Sequence, residues 1–187
     1  MRRLAIVMAL STAAGLAQAA GPHVHGQGNL DLAMAGGTLL VELSLPAADV
    51  VGFEHVPRDD EQKALVEDAL ARLGKGTNVL EPAPAAACKV TRESVHSGLS
   101  DSEAGEHDHG EESHDHGADH DHDHGGHADF EARYRWHCDH PEKLAWIDVP
   151  LLEFLNGVTL KVQLVTDQGA RADSLKAPRT RLSMDLR

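Results

Sequence analysis

The sequence predicts an α+β fold: mainly antiparallel β, as a sheet or sandwich, with one amphipathic helix and a long disordered His/Asp-rich loop. Three observations lead there. Apolar residues alternate with period two over several short stretches, one stretch switches to a helical period, and residues 97–128 show neither pattern.

The chain opens with Arg2 and Arg3, an apolar run from Leu4 to Leu16, and the small-x-small pattern Ala17-Gln18-Ala19. That is the layout of a secretory signal peptide. The run is too short for a spanning helix, and no later stretch approaches the ~18 apolar residues one needs. Residues 1–19 are therefore expected to be a signal peptide and 20–187 a single exported, soluble domain, interrupted by the loop at 97–128.

Alternation then resumes as a hairpin over 29–45. Leu30, Leu32 and Met34 alternate, Gly36-Gly37 supplies the turn, and Leu39, Val41, Leu43 and Leu45 alternate again before Pro46. Over 57–74 the period is helical: Leu65, Val66, Ala69, Leu70 and Leu73 share a face, Asp59 and Asp60 favour the start, and Gly74 the stop. A short strand is expected over 88–95. After the loop, Phe130, Ala132, Tyr134, Trp136 and Cys138 alternate with polar residues as a half-buried strand. Further strands are expected at 145–149 and 158–166, with weaker ones towards Met184 and a short second helix near 151–155.

Composition excludes some function classes. The net charge is −13, and becomes −15 once Arg2 and Arg3 leave with the leader. So acidic a chain does not hold a phosphate backbone by counterion release, nor an anionic membrane surface. It attracts cations. The two cysteines, Cys88 and Cys138, read first as a disulfide in an exported chain, with free thiols or a Cys–His metal site as the alternatives. They flank the loop, so a bridge between them is expected to pin its base.

The loop carries the strongest chemical signal. Residues 101–127 hold ten acidic residues and eight histidines, and no Lys or Arg falls between Glu93 and Ala132. Such a composition cannot bury enough apolar surface to offset its ordering entropy. His107, His109, His114, His116, His120, His122, His124 and His127 recur largely with one intervening residue. In extended chain, positions i and i+2 project to one side, so two imidazoles can reach one ion. Imidazole suits zinc, nickel, copper and iron, the interleaved carboxylates can ligate or orient the rings, and the absence of Cys and Met counts against Cu(I). A tetrahedral site takes four ligands, so eight histidines serve on the order of two zinc ions. A pH-sensing tract is the competing reading.

Other motifs fail. Asp119-x-Asp121-x-Asp123 begins like an EF-hand, but His124 stands where Gly is required and Phe130 where Glu is required. His109-Gly110-Glu111 lacks the Pro-Cys-x-x-Cys of a zinc deaminase, and no His-Glu-x-x-His occurs. At the mature terminus, His23-Val24-His25-Gly26 would make an amino-terminal Cu(II)/Ni(II) site after cleavage at Ala20, but Pro22 has no N–H to deprotonate. Gly52-Phe53-Glu54-His55 has two readings: Phe53 plugs the core while His55 caps a turn, or His55 joins His23 or His25 in a preformed site.

His23-Val24-His25-Gly26, Gly52-Phe53-Glu54-His55, the two cysteines around a His/Asp-rich insertion, the tract from Ala128 to Tyr134 and the Cys138-x-x-Pro141 spacing together resemble the ZrgA-like zinc-regulated periplasmic zinc-binding proteins. The resemblance runs over nearly the whole mature chain. It implies a periplasmic zinc-binding protein serving zinc acquisition beside an ABC-type importer, with His23, His25 and His55 as ligands of a structured Zn(2+) site and the loop as an auxiliary one. The other readings are a periplasmic buffer for excess zinc, nickel or copper, an interaction module with a pH-sensing loop, and a metal-dependent envelope enzyme. For the enzyme, Glu54 beside His55 is the only pairing that suggests a general base.

Overall fold

The computed structural model describes residues 24–99 and 128–185. The expected signal peptide, His23 and the loop histidines His107 to His127 lie outside the described residues. The first hairpin forms where alternation predicts it, as β1 (Gln27–Ala35) and β2 (Thr38–Pro46). Gly36 and Gly37 both have positive φ, 53° and 80°. Tight hairpin turns need that conformation at both central residues, and side chains disfavour it.

Four further strands complete the main sheet: β4 (Cys88–Ser97), β5 (Asp129–Cys138), β7 (Thr159–Thr166) and β8 (Gly169–Leu175). Their order is β4-β5-β2-β1-β7-β8. Every neighbouring pair is antiparallel except β1 and β7, which run parallel from Gln27↔Thr159 to Met34↔Thr166. The α+β class and the predominance of antiparallel pairing hold, and this one pair departs from it. Alternation reports which face is buried, not strand direction. A parallel pair needs a long crossover, and here most of the chain intervenes.

A second sheet comprises β3 (Glu81–Pro82), β6 (Trp146–Asp148) and β9 (Arg181–Ser183), in the order β3-β6-β9. The helices are α1 (Ala47–Val51), α2 (Asp60–Leu73), α3 (Gly76–Val79) and α4 (Leu151–Phe154). One core joins the inner face of the main sheet (Leu30, Leu32, Val41, Phe130, Trp136, Leu160) to Ile147 and Leu182 of the small sheet and to Val66, Ala69 and Leu73 of α2. Asp59 caps α2 by accepting from the Gln62 N–H at 2.8 Å. Leu65, expected on the buried face, is 46% exposed. Only the Val66, Ala69 and Leu73 stripe meets the sheet, so the apolar arc read from the sequence is wider than the contact. The buried Tyr134 hydroxyl donates to the Leu73 carbonyl at the end of α2, and burial raises its pKa, keeping the phenol a donor.

Cys88 and Cys138 form a disulfide, which removes the thiol and Cys–His alternatives. Its position corrects an expectation. The bridge joins opposed residues at one end of the β4–β5 ladder, whereas the insertion departs from the other end, where Ser97 pairs with Phe130. At ~3.3 Å per residue the two ends lie about 30 Å apart, so the bridge does not pin the loop's base. Backbone bonds do so instead, from Gly98 N–H to Asp129 O and from Ala47 N–H to Ala128 O, each 2.9 Å. Residues at the edges of the expected loop belong to the fold: Ser97 is wholly buried as the last residue of β4, Leu99 is 2% exposed, and Ala128 is buried. Among the described residues, no helix is long and apolar enough to cross a membrane.

Replacing both cysteines with Ser should lower stability by about 4 kcal/mol, the loop-closure value for this separation, or roughly 10 °C in calorimetry. The small sheet has its own electrostatic clamp. Arg181 Nε and Nη2 donate to the two Asp148 oxygens at 2.7 Å each, and its guanidinium stacks 3.9 Å over Trp146. The Arg181 hydrogen bonds hold the Asp148 pKa below its ordinary value. A depressed pKa adds stability above the unfolded value near 4, and that stability is lost as pH falls through the folded value. Asp148→Asn should therefore be less stable than wild type at neutral pH, the gap closing as pH falls below the unfolded carboxylate value of about 4 in urea melts.

Candidate metal site

The β1–β2 ladder decides which motifs meet. It pairs Asn29 with Ser44, so the chain entering β1 lies beside the chain leaving β2. Extended three places, the ladder sets Gly26 opposite Ala47, the first residue of α1. The two His-bearing motifs, nearly thirty residues apart in sequence, are thereby brought to one end of the sheet.

Each motif has a local reason for its shape. Val24 to Gln27 make a turn closed by the Gln27 N–H to Val24 O bond at 3.0 Å, with Gly26 at φ 77°. Its third position is one that type II turns reserve for glycine. His25 occupies the corner before it, its side chain 65% exposed. On the other side, α1 ends at Gly52, whose φ of 89° and N–H bond to Ala48 O at 3.1 Å stop the helix and release Phe53, Glu54 and His55.

The contacts between the motifs are specific. Gly26 N–H donates to Asp49 Oδ2 at 2.7 Å. His25 Nδ1 lies 3.7 Å from Glu54 Oε1, an electrostatic contact longer than a hydrogen bond. Phe53 is half-buried against the core and stacks on the His55 ring, centroids 5.0 Å apart. His55 Nδ1 lies 3.0 Å from the Val56 carbonyl oxygen. A carbonyl only accepts, so Nδ1 is the protonated nitrogen and Nε2 keeps its lone pair. Both imidazoles thus have an oxygen near Nδ1, at hydrogen-bond distance for His55 and at 3.7 Å for His25. As the first reading expects, Phe53 packs on the core, and its ring holds that of His55 by stacking.

Other candidates are scattered. His96 is on the outer side of β4, paired in register with Glu131. His137 Nε2 lies 3.6 Å from Asp139, and His140 Nδ1 lies 3.8 Å from Glu142. Among the described residues, no three His, Cys, Asp or Glu side chains converge as a cation site. His25 and Glu54 supply two such groups, and the chain continues towards His23 two residues before. Sequence reasoning missed Asp49. Its signal was available in the hairpin register, which sets α1 beside the His-x-His-Gly motif.

Long-range proton–nitrogen spectra at about pH 8, above the ordinary imidazole range, should show His55 as the Nδ1–H tautomer; an Nε2–H ring would remove the free lone pair on Nε2.

No curated protein matches the chain. The pattern of the ZrgA family zinc uptake protein matches residues 22–184, from the turn that presents His25 to the end of the small sheet. The chain belongs to that family of zinc uptake proteins.

Proposed function

We propose that this protein captures zinc in the periplasm and contributes to zinc acquisition with an ABC-type importer, using two tiers of binding. His23, His25 and His55 hold one ion tightly, with Glu54 orienting His25. His107, His109, His114, His116, His120, His122, His124 and His127 form the weaker, faster tier, because that segment bears an ordering cost on binding which a preorganised site does not. Its ten carboxylates raise the local cation concentration.

One observation carries this reading. The Ala128 carbonyl accepts from the Ala47 N–H at 2.9 Å, so the His-rich segment rejoins the fold at the first residue of the helix that bears Asp49. His127 immediately precedes Ala128 in the sequence. An ion caught by the segment is then released at high effective concentration next to the folded site. The contact of Glu54 with His25 supports a part for that carboxylate in metal binding rather than the general-base role of the enzyme reading.

Native mass spectrometry of the mature chain titrated with zinc tests this, beside a variant lacking residues 100–127. The excision is sterically simple, since Gly98 and Ala128 already touch: a Cβ built on Gly98 comes 3.3 Å from Ala128 Cα. The variant should keep one tightly bound zinc, and the full chain should bind on the order of two more. A variant that binds none would make the folded part a scaffold and favour buffering of excess zinc, nickel or copper. Protons compete for imidazole, so the additional ions should be lost below about pH 6; unchanged loading there would rule out imidazole ligation by the segment.

A further inference from the structure

We infer that Asp49, which belongs to neither His-bearing motif, is the positioning residue of the folded zinc site. The inference rests on the reading of His25 and His55 as zinc ligands and adds how their geometry is held. His25 is 65% exposed, and among the described residues its ring has only the 3.7 Å contact to Glu54 to orient it. Nothing in the side chain itself fixes its place, so the turn beneath it must.

That turn is closed by one internal bond, Gln27 N–H to Val24 O; its Gly26 carbonyl accepts from the Thr159 N–H of β7 at 2.8 Å, and its Gly26 N–H donates to Asp49 Oδ2 of α1 at 2.7 Å. Asp49 is half-buried and lies in the first turn of α1. A Cβ built on Gly26 would meet nothing within 4 Å, so side-chain packing adds nothing to these bonds. The bond to β7 holds the turn to the sheet, and the Asp49 bond is the link that carries it onto the element leading to Glu54 and His55. Without the Asp49 bond the turn stays tied to β7 but loses its tie to α1, and His25 separates from Glu54.

This role separates from a merely structural one. Asp49→Ala removes the acceptor; Asp49→Asn keeps an acceptor oxygen and removes the charge. The full mature chain is titrated with zinc and followed at the imidazole resonances of His25 and His55, with the segment histidines as an internal control. Asp49→Ala should weaken zinc binding at His25 and His55 by about 10-fold or more, the usual effect of removing a group that orients a ligand. Asp49→Asn should stay within about 3-fold of wild type, and the segment histidines should respond as before in both.

Two results would overturn the inference while leaving the site intact. One is Asp49→Ala titrating as wild type while His25→Ala abolishes the zinc response of His55. The other is Asp49→Asn as weak as Asp49→Ala, which would assign the effect to charge rather than to the bond. If His25→Ala leaves the His55 response unchanged, the shared metal site itself is refuted and the role of Asp49 falls with it.

Discussion

The register of the β1–β2 hairpin is the constraint on which the rest depends. Gly36 and Gly37 close it with two positive φ angles, and from there the ladder runs unbroken from Ala35↔Thr38 to Asn29↔Ser44. A slip of one residue would turn Leu30, Leu32, Val41 and Leu43 from the core to water. The same slip would move Gly26 away from α1. Apolar burial, the dominant favourable term in folding, therefore also sets the alignment of His25 with Glu54. The two His-bearing motifs need little energy of their own to meet.

The β2–β5 ladder extends that logic to the His-rich segment. Pro46 pairs with Asp129, so the point where the segment returns is fixed against the start of α1. At the opposite end of β5, Cys138 is bonded to Cys88. The cross-link and the two His-bearing motifs thus occupy opposite ends of the sheet. Strain or chemistry at one has the length of the sheet between it and the other.

Much of the fold could be read directly. The period-two stretches became β1, β2, β5 and β7, and the helical stretch became α2 with Asp59 as its cap, because each pattern reports a local burial face. Where reading failed, the missing information was non-local. The parallel pairing of β1 with β7 follows from which sheet edge remained open after β2 had taken β5. Leu65 satisfies the helical period but lies beyond the width of the α2 contact, which depends on the partner surface. The disulfide was placed near the loop because both flank it in sequence, yet the strands between carry the two to opposite ends.

The sequence by itself determined the chemistry: eight histidines among ten carboxylates, a His-x-His-Gly motif, a Gly-Phe-Glu-His motif, and two cysteines available to pair. It also determined the local shapes, since glycine at positions 26 and 52 answers to backbone angles that side chains resist. Only the tertiary structure decided which of these groups are neighbours. Asp49 shows the difference most clearly. In the sequence it is one acidic residue among many, and its bond to Gly26 exists only because an antiparallel ladder folds the exit of β2 onto the entrance of β1.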